Sequence, residues 1–531
     1  MDTATAHESF GTDVVVLRNS RGGIVGSTDV ADLLCFLRYG LKDTIRVAYD
    51  LDEFVAPLLR KLPENVLLRL AQNEPNVEHR GHHLFYLPGK MFEVGHTHFY
   101  GVKQFLNLSG FAPSPSLDET QRLVDAIVAA LTGLGIDSPR KLTSGIAVFA
   151  DSPMGKELFA RLPKNSDLPE RYDGATQYAY LSDRKDWVSA YQIGHWLDGT
   201  IFDYDQTACY AWLASRLTDP RELVFWKAES MGKAEQGALF GFIKGKFWID
   251  PGGEYAHCSP IMAHTGNGLY GNPVGALPED IYTLDEVRYV VGRGIGAFDM
   301  TDGWFASRIG GTAPGKPYKD VMERLYELRR GSPMRAGIAK VIANSIVGKL
   351  IEERTDGSLG EIRNDVCHAL ITAGARCEIS SFLVGNEIKA NELVVVQTDG
   401  ARLTRRVFTP KHNGMGSWRC NGSDPVLVVS PRKVYTLDKR PYRVTYQNIL
   451  NMVSGNPKDE RWCEPERYRV TLQQAIDDNA IHTVGELRET TVNFELIGLE
   501  MEQNRVFNRL PKTGRVLLSG KKYHSEPVIF S

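Results

Sequence analysis

No run of about eighteen apolar residues occurs in this 531-residue chain, so no membrane-spanning helix is expected. The opening stretch, MDTATAHESFGTD, has neither a basic segment nor an apolar one, which reads as a cytoplasmic chain. Cysteine is sparse: Cys35, Cys209, Cys258, Cys367, Cys377, Cys420 and Cys463 stand singly, with no C-x-x-C pair and an odd total. That pattern excludes a disulfide framework and a zinc knuckle, and the residues read as reduced, mostly buried thiols. Charge of one sign is also missing, since the net charge is −3 and the pI about 6.5. The whole-chain balance averages over local patches and excludes no partner. There is no internal repeat and no low-complexity tail.

What is present is the composition of an ordinary soluble protein, 42% hydrophobic and 24% charged, with length for about two to four domains. Between positions 401 and 440, nine basic residues (Arg402, Arg405, Arg406, Lys411, Arg419, Arg432, Lys433, Lys439 and Arg440) face two acids, Asp424 and Asp438. Such a stretch suits phosphate neutralisation or, equally, a solvated surface. The first hundred residues alternate strand-like runs, Val14 to Leu17 and Ile45 to Tyr49, with a helical stretch from Asp52 to Lys61 and a hairpin-like FYLPGKMFEV. LDETQRLVDAIVAALTGLG reads as a helix closing that domain. From Gly237 to Gly315 the chain is rich in Gly, Pro and aromatics, which predicts an irregular insertion with few long elements. Two helices, YKDVMERLYELRR and MRAGIAKVIANSIVGKLIEE, are joined by a turn at Gly331, Ser332 and Pro333, and LVVVQTDGARL reads as a strand entering a tight turn.

Three segments carry chemistry. TIFDYDQTACYAWL is an apolar strand that delivers Asp203 and Asp205 ahead of a helix beginning near Tyr210. Lys340, Asn344 and Val347 have the spacing to share roughly one helix face, with Ser345 and Gly348 beside them. In the third segment Gln397, Thr398, Asp399 and Gly400 follow a β-branched strand, leaving an acid at its tip. An Asp at a strand end is commonly a turn residue, so it is the three together that matter.

In this order the segments resemble the motifs of family B DNA polymerases, and in particular the compact protein-primed replicases of phages and linear plasmids. Motif A of that family reads D-x-x-S-L-Y-P, and Asp205 and Tyr210 match it. Motif B reads K-x-x-x-N-S-x-Y-G, matched by Lys340, Asn344, Ser345 and Gly348, with Val347 in place of the tyrosine. Motif C reads Y-x-D-T-D-S, matched by Thr398 and Asp399, with Gln397 and Gly400 departing from it. Lys433 and Tyr435 are similar to the K-x-Y motif, Tyr191 and Gly194 to a degenerate Y-x-G-G, and LITAGAR to the helix that returns the fingers to the palm. The resemblance covers the chain from about Thr143 to Tyr435.

The resemblance implies a multidomain α/β and α+β chain: a degenerate RNase H-like exonuclease domain followed by a right-hand polymerase of palm, fingers and thumb. The corresponding divisions are 1–140 exonuclease-like, 141–225 linker and first palm part, and 226–320 an insertion suited to docking a priming protein. The remainder is 321–380 fingers, 381–441 second palm part and 442–531 thumb. The implied activity is DNA-directed DNA synthesis in replication, on a DNA primer-template with dNTPs and two Mg²⁺ ions, Mn²⁺ being the alternative, by a monomer that accepts a terminal or priming protein. The metal would lie on Asp205, Asp399 and the backbone carbonyl near Gln206, because Mg²⁺ keeps few protein ligands. Lys340, with Arg329 or Arg335, would neutralise the triphosphate, Asn344 would sit beside the nucleotide, and Tyr210 would exclude a 2′-hydroxyl. Tyr191, Gly194, Ser345, Gly348, Thr398, Lys433 and Tyr435 would meet DNA, Lys433 and Tyr435 holding the primer-terminal strand. The short stretch between Lys340 and Asp399 leaves no room for a DNA-encircling hairpin, so distributive synthesis with poor strand displacement is expected.

Other signals point less far. Gly266, Gly268 and Gly271 fit G-x-G-x-x-G, but no strand precedes them and Pro273 follows, so they read as a loop. His79, His82, His83, His96 and His98 lack a supporting acid or cysteine cluster and read as structural. Asp198 and Asp203 are second-tier ligand candidates, Asp203 sharing a strand face with Asp205. The proofreading motifs are missing: the first strand has Asp13 without D-x-E, Tyr49 and Asp50 lack their asparagine, and no tyrosine stands near Ser116 to Thr120. Proofreading is therefore expected to be absent. Two other readings stay open: a polymerase-derived scaffold that binds nucleic acid or a partner without strong catalysis, and a template-independent nucleotidyltransferase acting on a protein hydroxyl.

Overall fold

A computed structural model of the chain describes residues 2–8, 15–19, 24–39, 46–88, 90–106, 116–136, 144–183, 187–197, 199–234, 237–265, 270–310, 313–330, 332–354, 357–409, 414–432, 434–436, 461–495, 504–507 and 522–530. The chain forms two compact units, one of Met1–Ala160, Glu327–Ile342 and Cys463–Val492, the other of Arg161–Tyr326, Ala343–Trp462 and Asn493–Ser531. The stretch 442–531, expected as one thumb, is therefore shared between the two units.

The first unit is built on an eight-stranded mixed sheet. Its order is Ile24–Ser27, Val15–Asn19, Asp2–Glu8, Arg46–Ala48, Thr97–Gly101, Met91–Val94, His82–Leu87 and Val77–His79. Asp2–Glu8, Arg46–Ala48 and Thr97–Gly101 run parallel and the other pairs antiparallel. The helix Leu51–Leu59 starts where Asp50 accepts the Glu53 N–H, with Asp52 and Glu53 in its first turn favoured by the helix dipole. Its Phe54, Val55, Leu58 and Leu59 enter a core with Leu33, Leu67, Phe92 and Phe99, where Phe54 and Phe99 stack with centroids 5.3 Å apart. Ser116 and Glu119 cap the helix Leu117–Gly133 reciprocally. Val470, Leu472, Ala475 and Val484 complete the same core, and each is buried among aliphatic neighbours at a gain of roughly 1–3 kcal/mol for the larger side chains. Arg469 reaches Glu53 at 2.8 Å and Arg60 donates to the Val484 carbonyl, which fixes this late segment to the early one.

The second unit holds three main sheets, antiparallel except where Val274–Ala276 pairs parallel with Ile529–Phe530. A five-stranded sheet runs Trp418–Gly422, Phe202–Gln206, Gly400–Leu403, Leu393–Gln397 and Val188–Ala190. The 21-residue helix Asp365–Gly385 backs it, with Ile379, Phe382 and Leu383 packed on Tyr204, Val396 and Leu403. A second five-stranded sheet links Val434–Thr436, Val426–Val428, Gln192–Trp196, Tyr523–Glu526 and Val506–Phe507.

The region from Gly237 to Gly315 is not the irregular insertion its composition predicts. It contains the twelve-residue strand Ala238–Ile249, the thirteen-residue strand Gly296–Arg308 and the helix Leu284–Gly292. The two strands lie in a sheet that also includes Leu223–Ala228, Val274–Ala276, Asp280–Thr283 and Ile529–Phe530. The reason is burial on both faces: Phe240 and Phe242 pack with Tyr172, Ala175 and Ala179, while Ile243, Phe247 and Ile249 pack with Val287 and Val290. A doubly covered strand loses the polar alternation that marks strands in a sequence. Gly245 serves the same close packing, because a Cβ there would come within 2.2 Å of the Asp299 carbonyl at a register shift of the pair.

Candidate active site

Two tight turns bring the acids together. The strand Phe202–Gln206 pairs antiparallel with Gly400–Leu403 so that Asp205 faces Gly400, next to Asp399. Beyond Asp205 the chain reverses through Ala208, whose φ of 52° is left-handed, and enters the helix Cys209–Arg216, which bears half-buried Tyr210. At the other turn Thr398 has a φ of 59°, which a β-branched residue adopts only under constraint. The constraint is visible: the Thr398 N–H donates to the Trp187 carbonyl at 3.0 Å, and the Asp399 N–H donates to the Gln397 carbonyl at 2.7 Å. The Gln206 N–H in turn donates to the Asp399 carbonyl at 3.1 Å, which ties the two turns to each other.

The result is a cleft of about 180 Å³ lined by Asp203, Asp205, Asp399, Gln397, Arg402 and Asn421 among others. Arg419 donates to the Asp205 carboxylate at 2.8 Å. Arg402 donates to the Gln397 side-chain oxygen at 2.6 Å and lies 3.3 Å from the Asp203 carboxylate, which Asn421 also approaches at 3.4 Å. Gln397, where the motif has an acid, thus anchors an arginine. Gly400, where the motif has serine, is explained by space: a Cβ would come within 2.6 Å of the Tyr204 carbonyl.

The divalent ions implied by the resemblance need hard oxygen donors, and Mg²⁺ commonly takes one or two carboxylates and completes its shell from water and substrate phosphate. Asp205 and Asp399 on one cleft fit that demand. Among the described residues no group of three or more His, Cys, Asp or Glu forms a metal cage, and the histidines, His79 and His82 paired across two strands among them, make none.

Comparison of the sequence with protein-family models and with curated proteins finds no match to either. Solved structures do match. Phi29 DNA polymerase complexed with primer-template DNA and incoming nucleotide substrates superposes with a TM-score of 0.56 at 12% identity, over 93% of this chain and 99% of that one. The same polymerase in an orthorhombic crystal form gives 0.53 at 11% identity, over 93% and 100%. Its post-translocation complex with primer-template DNA gives 0.52 at 12% identity, over 93% and 99%. The fold is that of phi29 DNA polymerase.

In this polymerase fold the other expected site residues fare differently. Gln206 is buried, its side-chain nitrogen donating to the Gly416 carbonyl at 2.9 Å and to Glu378 at 3.4 Å, while its side-chain oxygen has no hydrogen-bond partner among the described residues. Burial raises the Glu378 carboxyl above its ordinary value, only partly offset by Gln206 and Arg216. Tyr191 and Gly194, expected to meet DNA, are both buried. Tyr191 is buried, its hydroxyl donating to the His257 carbonyl and accepting from Asn272, with Arg505 stacked 4.0 Å from its ring centroid. Gly194 is buried in the strand Gln192–Trp196, opposite Val428. A core tyrosine whose hydroxyl both donates and accepts inside the fold holds its strand in place.

The helix Pro333–Gly348 carries Lys340, Asn344 and Gly348 on its exposed side, with Ser345 half-buried. Val347 is buried, contrary to the expected shared face, because its position in the turn falls on the stripe with Ile346 and Ala343. Arg329 follows the helix Lys319–Leu328 and is half-buried. Arg335 donates to the Leu328 carbonyl at 3.1 Å and so closes the helical hairpin. Lys340, Arg329 and Arg335 belong to the first unit, Asn344 and Gly348 to the second. Tyr435 lies half-buried in Val434–Thr436, opposite Leu427, while Lys433, Asp198, Gly266 and Gly268 fall outside the described residues.

Arg402, Arg419, Asn421 and Glu378 were missed by sequence reasoning. The basic stretch from 401 onward contains both arginines, but its density gives no sign that two of them face aspartates.

Proposed function

We propose that the chain is a DNA-directed DNA polymerase that adds dNTPs to a primer 3′-hydroxyl by two-metal nucleotidyl transfer. The observation that carries the reading is the convergence of Asp205 and Asp399, distant in sequence, on one cleft in a fold shared with phi29 DNA polymerase. Two divalent ions, when bound, activate the hydroxyl and neutralise the pyrophosphate leaving group. In this reading Asp205 and Asp399 hold those ions, with the Gln206 carbonyl as a further ligand. Lys340, with Arg329 or Arg335, neutralises the triphosphate, and Asn344 borders the nucleotide. Tyr210, at the start of the helix after Asp205, packs against the deoxyribose. Ser345, Gly348, Thr398, Lys433 and Tyr435 track the DNA.

The domain proposal keeps 1–140 as the exonuclease-like part, 141–225 as linker and first palm part, 226–320 as the insertion available to a priming protein, 321–380 as fingers, 381–441 as second palm part and 442–531 as thumb. Within this reading the enzyme accepts a protein or short primer and works distributively. No helix among the described residues is long and apolar enough to cross a membrane.

A second reading, a polymerase-derived nucleic-acid-binding protein of little activity, draws support from Arg402 and Arg419 facing the motif A aspartates and from Gln397. Extension of a labelled primer separates the two, and separates both from a template-independent transferase. Addition of only the nucleotide complementary to the first template base is the expected outcome. Equal addition of all four nucleotides, or addition without template, favours the transferase, and binding without addition favours the scaffold.

A further inference from the structure

The two arginines at the acids are held in different ways. Arg402 is locked: its side chain is 15% exposed, it donates to Gln397 at 2.6 Å, and it lies 3.3 Å from Asp203. Arg419 is 54% exposed on Trp418–Gly422, the edge strand of the sheet, and meets Asp205 through one hydrogen bond of 2.8 Å among the described residues. Asp205 and Arg419 are direct partners in register, so the guanidinium stays within reach of anything that binds beside Asp205.

We propose that Arg419 is an exchangeable counter-ion of Asp205: it holds the carboxylate before substrate arrives and passes to the triphosphate of the incoming nucleotide when Asp205 takes up a divalent ion. The inference rests on the polymerase reading of the same cleft. A guanidinium and a divalent cation compete for one carboxylate, and once the ion is bound the two cations repel at close range. The nearest new anion is then the nucleotide's triphosphate. Its oxygens match the planar fork of an arginine, which binds phosphate bidentately. An exposed ion pair is weak enough to open at little cost, whereas the anchored Arg402 is not. The exchange keeps Asp205 neutralised in the free enzyme and delivers a positive charge to the phosphate as metal binds.

Competition and phosphate binding give Arg419→Ala two effects of opposite sign. Mn²⁺ binding, read by electron paramagnetic resonance at fixed ionic strength and without nucleotide, is expected to tighten by roughly two- to fivefold, the worth of an exposed pair. The KM for dNTP is expected to rise by roughly tenfold, the loss of a charge-assisted phosphate contact. Arg419→Lys falls between wild type and Arg419→Ala on both scales. Unchanged Mn²⁺ affinity, weaker Mn²⁺ binding, or an unchanged KM in Arg419→Ala each overturns the proposal. Asp205→Asn is the control for the parent reading: a wild type that adds no nucleotide, or Mn²⁺ binding indifferent to Asp205→Asn, overturns the polymerase reading itself. In that case tighter Mn²⁺ binding by Arg419→Ala would still identify Arg419 as the counter-ion of a metal site.

Discussion

Asp205 and Tyr210 stand on either side of a single chain reversal at Ala208, so the acid at the end of a strand and the aromatic at the start of a helix are spaced by backbone geometry. If Tyr210 is the sugar gate, Tyr210→Ala removes the ring that a 2′-hydroxyl would strike. Ribonucleotide incorporation relative to deoxyribonucleotide is then expected to rise by roughly 10- to 100-fold, the range a pocket contact confers. Competition between the matched rNTP and dNTP on one template measures it, and an unchanged ratio removes Tyr210 from the sugar site. At this scale the placement of Asp205 and Asp399 at strand ends and of Tyr210 at the start of a helix was legible, because apolar runs mark the elements that carry them. Arg402 and Arg419 were not, since pairing across strands is set by register. Gly400 looked like a lost serine; the approach of the Tyr204 carbonyl accounts for it.

Among the elements, helices with a capping signal were the most readable: Leu51–Leu59, Leu117–Gly133 and Pro333–Gly348 fall close to their predicted spans. The long strands Ala238–Ile249 and Gly296–Arg308 were lost, because glycines required for close approach resemble loop glycines and, in Ala238–Ile249, burial on both faces hides the period of two. The helix Leu284–Gly292 is tied to the long helix Asp365–Gly385 by one buried pair, Arg376 with Glu286 at 2.8 Å, both side chains 1% exposed. Glu286 also accepts from the Thr283 N–H and hydroxyl and so caps its helix. Arg376→Met leaves that carboxylate buried without its cation, and a loss of about 3–5 kcal/mol is expected in chemical denaturation. A change below about 1 kcal/mol would show that the pair contributes little to holding the two helices.

For the whole molecule, the polymerase fold was legible from the order of three short motifs, whereas the division of the chain into two units was not. The late segment Cys463–Val492 joins the first unit through Arg469, Val470 and Val484, contacts with no local signature. Asp50, the acid that resembles part of a proofreading motif, is buried in an ion pair with Lys103 at 2.9 Å. Burial would raise its pKa, yet Lys103 and Arg469 bring it below its ordinary value. The carboxylate stays ionised, but it is buried and held by Lys103, Gln104 and Arg469, so a metal could reach it only by breaking that buried network, a demand that the exposed pair of Arg419 with Asp205 does not make. Purified protein is accordingly expected to leave a single-stranded 3′ end intact with Mg²⁺ or Mn²⁺; degradation abolished by Asp50→Ala would reverse that conclusion. The central claim, that Asp205 and Asp399 together serve nucleotidyl transfer, is tested most directly by single-nucleotide primer extension with wild type, Asp205→Asn and Asp399→Asn at matched DNA occupancy. The expected result is templated addition by wild type and a fall on the order of a thousandfold in each variant with DNA binding retained; near-wild-type rates in either variant would contradict the account.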